Sequence, residues 1–226
     1  MKKITLIMVG FLFSVATMAQ SKFQLGFKAS PNLHWLKPDV NDVDRDGVNF
    51  GFNFGVLADF NISERYSFAT GIESVTVGGN MIVNSDLLEY KDEFKAKYIE
   101  IPISLKLKTN QIGYITYYGQ FGLTGGINYD ASGETTQAGV TIERSNRQSD
   151  MALFRGAIMF GAGMEYNISG STSILLGVTF NNGITNMYSK DARDDFEDLS
   201  KENGNPNPDD LKAITNYLAL NIGLIF

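Results

Sequence analysis

Between residues 50 and 60 the chain alternates without a break. Phe50, Phe52, Phe54, Val56, Ala58 and Phe60 fall on one face of an extended segment, and Gly51, Asn53, Gly55, Leu57 and Asp59 on the other. A period of two with one apolar face predicts a β-strand standing between two environments. The pattern recurs over residues 22–30, 66–77, 98–108, 114–124, 151–166, 173–182 and 213–226. In the segment 98–108, Ile99, Ile101, Ile103, Leu105 and Leu107 oppose Glu100, Ser104, Lys106 and Lys108. In the last, Leu218, Leu220, Ile222, Leu224 and Phe226 oppose Tyr217, Ala219, Asn221, Gly223 and Ile225, and the chain stops on the aromatic. Two positions disturb the pattern. The alternation fades after Glu73, which leaves the upper end of the segment 66–77 open, with part of Asn80–Val83 a candidate extension of the strand. Pro102 has no N–H to offer a ladder, which predicts a bulge there.

The connections alternate too. Residues 61–65, 109–113 and 167–172 are tight turns, whereas 31–49, 78–97, 125–150 and 183–212 are long polar loops. Within the last loop, Ser189 to Lys201 suits a short surface helix, and Asn205-Pro206-Asn207-Pro208 a turn. A strand of about 9–11 residues crosses a bilayer when tilted. The pattern therefore predicts an all-β fold: an eight-stranded antiparallel up-and-down transmembrane β-barrel with long extracellular loops and short periplasmic turns. A soluble eight-stranded carrier, its apolar face turned inward, is the alternative.

Charge sharpens this picture. The four long loops hold 11 basic and 20 acidic residues, and the rest of the chain after residue 19 holds 6 and 5, so the acidic excess lies where water would be. An acidic chain is a poor ligand for nucleic acid. At the start, Lys2 and Lys3 precede an apolar run from Ile4 to Ala16, too short to span a bilayer. Residues 1–19 read as a signal peptide cut after Ala19, and 20–226 as one barrel domain. The absence of cysteine excludes disulfides, thiol catalysis and cysteine-bound metals.

Candidate chemistry is sparse. The inward set Lys28, Asp59, Glu73, Glu100, Lys106, Arg155 and Glu165 carries both signs and predicts a paired polar network filling the lumen. A narrow ion or solute path through it is the sharper alternative. Phe23, Phe60, Tyr66, Tyr114, Tyr166 and Phe226 gather beside the short turns and read as an interfacial aromatic girdle. Asp42, Asp44 and Asp46 fit half of a calcium loop, but the twelfth position is Asn53, so only a surface Ca²⁺ site is in question and no other cofactor is expected. His34, the only histidine, and Trp35 stand above the first segment, at the outer rim. A lipid- or peptide-modifying enzyme would use His34 together with a Ser or Asp beside it.

The stretches Phe27-Lys28-Ala29-Ser30-Pro31-Asn32-Leu33, Gly71-Ile72-Glu73, Tyr98-Ile99-Glu100-Ile101-Pro102, Gly161-Ala162-Gly163 and the terminal Phe226 resemble the small porin-like outer-membrane β-barrel proteins of Bacteroidota. The resemblance covers the whole chain after the leader, and its motifs mark architecture rather than catalysis. It implies assembly by the barrel-insertion machinery and contact with outer-membrane lipid. The expectation is a non-enzymatic outer-membrane protein with a structural or surface-interaction role through acidic external loops, its external partner unknown.

Overall fold

The computed structural model describes residues 23–39, 43–84, 89–137, 140–194 and 212–226. The leader predicted over residues 1–19 lies outside them. The described residues form β1 (Phe23–Pro38), β2 (Val43–Arg45), β3 (Asn49–Asn61), β4 (Tyr66–Asn84), β5 (Glu89–Lys108), β6 (Ile115–Gln137), β7 (Val140–Arg144), β8 (Phe154–Ser169), β9 (Thr172–Gly183) and β10 (Ala213–Ile225). Apart from the short β2 and β7, the eight long strands pair antiparallel in the ring β1–β3–β4–β5–β6–β8–β9–β10. The ring closes between β10 and β1, where Leu25 N–H donates to the Phe226 carbonyl (3.0 Å) and Phe226 N–H to that of Leu25 (2.8 Å). Tight turns close one end, with Gly113 and Gly170 at φ of 64° and 55°, a conformation that favours glycine.

The distribution of polarity is inverted relative to a soluble protein. Among the described residues forty large apolar side chains are exposed, including Phe27, Phe54, Ile103, Phe121 and Phe160. Asp59, Glu100, Lys106, Arg155 and Asn181 are buried. So continuous an apolar exterior requires lipid around it, and the soluble carrier with an inward apolar face is excluded. The inward and outward faces of all eight predicted strands are as the alternation assigned them.

The strands are longer than predicted at the other end. Much of what the hydropathy pattern marked as loop at 31–49, 78–97 and 125–150 is strand: β1 continues to Pro38, β4 to Asn84, β5 starts at Glu89, and β6 runs to Gln137. The reason lies in the solvent. On β5, the outward residues Ile99, Ile101 and Ile103 are exposed and apolar while inward Glu100, Ser104 and Lys106 are polar. Above Tyr98 the phase reverses: outward Lys97 and Lys95 are charged, and inward Ala96 and Phe94 are fully buried and apolar. The backbone stays extended while water replaces lipid outside.

β2 and β7 extend this upper part. β2 pairs with β4 and β7 with β6, so that β2, β4, β5, β6 and β7 form a five-stranded sheet rising above the lipid level on one side of the barrel.

Pro102 does not make a bulge. It stays in register opposite Thr124, and its carbonyl accepts a bond from Thr70 Oγ1 (2.7 Å). The missing N–H interrupts pairing with β4 without changing its register, which is the same at Thr70↔Ile103 and Glu73↔Glu100. The bulge of this hairpin is at Tyr129, between the pairs Tyr98↔Asn128 and Lys97↔Asp130. Residues 190–194 are helical, within the helix predicted from Ser189 to Lys201; the remainder of that segment and the Asn205–Pro208 turn lie outside the described residues.

Candidate functional site

Inward-facing side chains bring all seven predicted lumen residues into three ion-paired groups. Nearest the tight turns, Lys106 of β5 lies between Asp59 of β3 (2.7 Å) and Glu165 of β8. Its ammonium also sits over the Tyr118 ring, 4.5 Å from the centroid. Lys108 stands 3.3 Å from Glu165 and 3.9 Å from Asp59. Glycines make room here: a Cβ on Gly163 would come within 2.6 Å of the Tyr118 hydroxyl. In the middle, Lys28 pairs with Glu73 at 2.7 Å. Higher up, Arg155 binds Glu100 (2.5 Å) and donates to Asn181 Oδ1 (2.8 Å) and to the Thr215 carbonyl (3.0 Å). Pairing of this kind is what makes buried charge tolerable. A cavity of about 30 Å³ remains among Lys28, Asp59, Glu73, Lys106, Tyr118 and Asn221, room for a water or two.

Above Arg155 a cluster of apolar side chains fills much of the lumen. Leu36, Val75, Val77, Met81, Phe94, Ala96 and Tyr98 project inward from the strands and meet Met151, Met187 and Tyr188 from the connecting segments. Hydroxyl groups tie this cluster together, with Tyr188 donating to Met81 Sδ (3.3 Å) and Tyr98 to the Ala152 carbonyl (3.0 Å). Residues 145–150 are anchored over it by Arg147, which is buried and bonds Asp92 Oδ1 (2.7 Å) and Asp150 Oδ2 (3.0 Å). Alternation marked neither the cluster nor this anchor, because the phase reversal hid the strands that carry them. Lys108 and Tyr118 shared the inward parity of Lys106 and Gln120 and were within reach of that argument.

Two asparagines do work that the pattern could not show. The β3–β4 ladder ends at Phe54↔Ser74. Just above it, Thr76 N–H donates to Asn53 Oδ1 (3.1 Å), and Asn32 Nδ2 donates to the Thr76 carbonyl (3.1 Å). Side chains thus replace main-chain pairing at this seam.

His34 is not an exposed rim residue. β1 runs on to Pro38, so His34 falls inside a strand, inward-facing and fully buried. Its Nδ1 lies 2.9 Å from Asn32 Oδ1, and no Ser hydroxyl or Asp carboxylate is among its hydrogen-bond partners in the described residues. Trp35 points outward and stacks on Phe180, ring centroids 6.2 Å apart. The six predicted girdle residues lie at the tight-turn end. Phe23 and Phe60 rings are 4.9 Å apart, Tyr114 and Tyr166 are 6.1 Å apart, and Phe226 lies 6.0 Å from Phe27. Tyr66 is half-exposed at the start of β4. Of the acidic trio, Asp42 lies outside the described residues, and the Asp46 carboxylate is paired with Lys91 of β5. Among the described residues no group of three or more His, Cys, Asp or Glu side chains could hold a metal ion.

The family model described as outer membrane protein beta-barrel domain matches residues 18–189. Among solved structures, the outer membrane protein OprG from Pseudomonas aeruginosa is similar over 92% of this chain and 97% of its own, with a TM-score of 0.52 and 11% identity. Neisserial surface protein A is similar over 91% and 96%, with a TM-score of 0.49 and 11% identity. The outer membrane protease OmpT from Escherichia coli gives 92% and 97%, a TM-score of 0.36 and 8% identity. No curated protein matches the sequence.

Proposed function

Because the chain belongs to the outer membrane protein beta-barrel domain family, and so resides in the outer membrane of a Gram-negative bacterium, we propose that it is a non-enzymatic surface protein whose working part is the sheet formed by β2, β4, β5, β6 and β7 above the lipid. One observation carries the reading: the lumen is filled while the wall keeps rising. Ion pairs occupy its lower part, the cluster around Phe94 and Tyr188 its upper part, and yet β4, β5 and β6 continue past the lipid level as a paired sheet. A filled interior supports a platform rather than a conduit. The environment of His34, closed off and bonded to an asparagine, supports no general base with access to substrate.

The test pairs two measurements. The barrel reconstituted in planar bilayers carries no steady current. Proteoliposomes bearing it are retained on at least one of a panel of immobilised basic, acidic and neutral polypeptides and polysaccharides, and retention is lost when residues 81–92 and 133–147 are replaced by short turns in a barrel that still folds. Steady conductance, or retention unchanged by that shortening, overturns the proposal.

A further inference from the structure

This inference rests on the surface role just proposed and assigns it a place and a partner chemistry. β7 is an edge strand. Among the described residues it pairs with β6 alone, and its residues Val140 to Arg144 are all exposed. Val140 is 62% exposed and Ile142 57%. These are not lipid contacts. Ile142 is in register with Thr135, and Thr135 with Asp92, which lies seven residues above Ile99 on β5. That is about 23 Å along the strand, well into water. An exposed edge that carries Val140 and Ile142, with no proline and with its charges Glu143 and Arg144 confined to one end, is a template for another strand.

The outward face beside this edge bears an unfinished charge pattern. Glu93 is directly opposite Glu134, and Glu134 directly opposite Glu143, so three carboxylates stand in one row across β5, β6 and β7. Like charges in direct opposition destabilise a sheet. The row ends at the open edge, and the next residue in it would belong to whatever strand is added. A pocket of about 290 Å³ lies along it, whose charged lining is Glu93, Lys95, Glu134, Glu143 and Arg144, with Phe94 also among its walls. Three carboxylates against two cations leave it net negative, and its size is at the small end for ligand pockets, suited to one long side chain.

A second copy in the same membrane is a poor occupant. Two barrels inserted the same way are related by an axis along the membrane normal, so their β7 strands could meet only in parallel. The axis also turns one sheet over, so the Glu143 side chains of the two copies would point to opposite faces and neither carboxylate row would be continued.

We propose that the free edge of β7 takes a further strand from an extended basic polypeptide, whose lysine or arginine side chain lies in the pocket over Glu93, Glu134 and Glu143. The main chain supplies attachment, and the charge row supplies register and preference.

The test uses the full protein in nanodiscs and a dye-labelled octapeptide alternating lysine and threonine. Three further probes accompany it: the fully N-methylated peptide, the glutamate–threonine peptide, and the barrel carrying Glu134→Gln and Glu143→Gln, isosteric changes on an exposed face. The lysine peptide binds, and the double variant weakens binding roughly tenfold. The N-methylated and the acidic peptides do not bind. Equal binding of the N-methylated peptide would mean attraction without strand addition, and equal binding by the double variant would remove the carboxylate row; either overturns the proposal. So does a wild-type barrel that ignores the lysine peptide, or one whose edge is occupied by a second copy, seen as a two-barrel disc that dissociates on Ile142→Lys. If the peptide fails while proteoliposomes still bind another polymer through the upper sheet, the surface role stands and only this assignment of the edge falls.

Discussion

Removing the Lys106 ammonium probes the lumen at its most charged point. In the variant Lys106→Met, Asp59 and Glu165 lose the group that lies between them, with their side chains only 5% and 9% exposed. Breaking a buried pair by deleting one partner costs about 3–5 kcal/mol. Lys108 lowers that figure here, because it remains 3.3 Å from Glu165 and 3.9 Å from Asp59 and can swing toward both. One positive charge would then face two negative ones, and the expected loss is about 3 kcal/mol, the bottom of that range. Urea unfolding from lipid vesicles measures it, followed by the fluorescence of Trp35, the sole tryptophan, which lies on the outward face. The triple variant Lys106→Met, Asp59→Asn, Glu165→Gln separates charge from shape. It removes the uncompensated carboxylates, leaves Lys108 its acceptor Gln24 Oε1 at 3.4 Å, and should restore more than half of the loss. A single variant within about 1 kcal/mol of wild type, or a triple variant no better than the single one, would refute the view that paired charge holds the lumen.

Three further outcomes follow from the same geometry. Ile103→Arg, on the lipid-facing side of β5 midway between Ile99 and Leu107, should cost about 2–4 kcal/mol in the same unfolding assay, whereas Lys95→Glu, above the lipid, should change it by less than about 0.5 kcal/mol. Lipids brominated near the headgroup should quench Trp35 more strongly than lipids brominated near the chain end, since Trp35 is followed on the outward face by Lys37. Arg147→Met strips Asp92, a fully buried carboxylate, of its cation. Hydrogen exchange should then accelerate first in β6 above Tyr129, in β7 and in residues 145–150, with the urea midpoint of the barrel nearly unchanged.

How far the sequence could be read depended on the medium around each segment. Where lipid lies outside and a polar lumen inside, every second residue announces its face, and Phe50 to Phe60 or Leu218 to Phe226 needed nothing more. Inward Lys28, Asp59, Glu73, Glu100, Lys106, Arg155 and Glu165 followed from the same parity. Their grouping did not, since which carboxylate meets which cation depends on register across strands as far apart in the chain as Glu100 and Arg155. His34 was misplaced because Asn32, His34 and Leu36 continue an alternation in which the inward face is polar and then apolar, so the pattern looked finished at Ser30. Pro102 was misread because a missing N–H was taken to require an extra residue, whereas the ladder tolerates a gap and Thr70 satisfies the carbonyl left beside it.

The phase reversal has a consequence beyond the loops it concealed. On β5 the outward face is apolar from Leu107 to Ile99 and charged from Lys97 upward, and the inward face changes in the opposite sense across Tyr98. On β4 the same exchange falls between Ile72, outward and exposed, and Val75, inward and buried. Ile99 is in register with Ser74, so the two strands cross the boundary at one height. Nine residues from Ile99 to Leu107 cover about 27 Å along the strand, or about 20 Å along the normal at a tilt near 40°, close to the apolar band of such barrels. The chain therefore holds two kinds of core on one axis. Within the lipid the barrel is held by its ladders and an ion-paired interior. Above it, the strands enclose apolar side chains as a water-soluble β-protein does. The upper core needs no contact with lipid to be stable, which frees its outer face, with the Glu93–Glu134–Glu143 row and the β7 edge, to be shaped by what it meets in water.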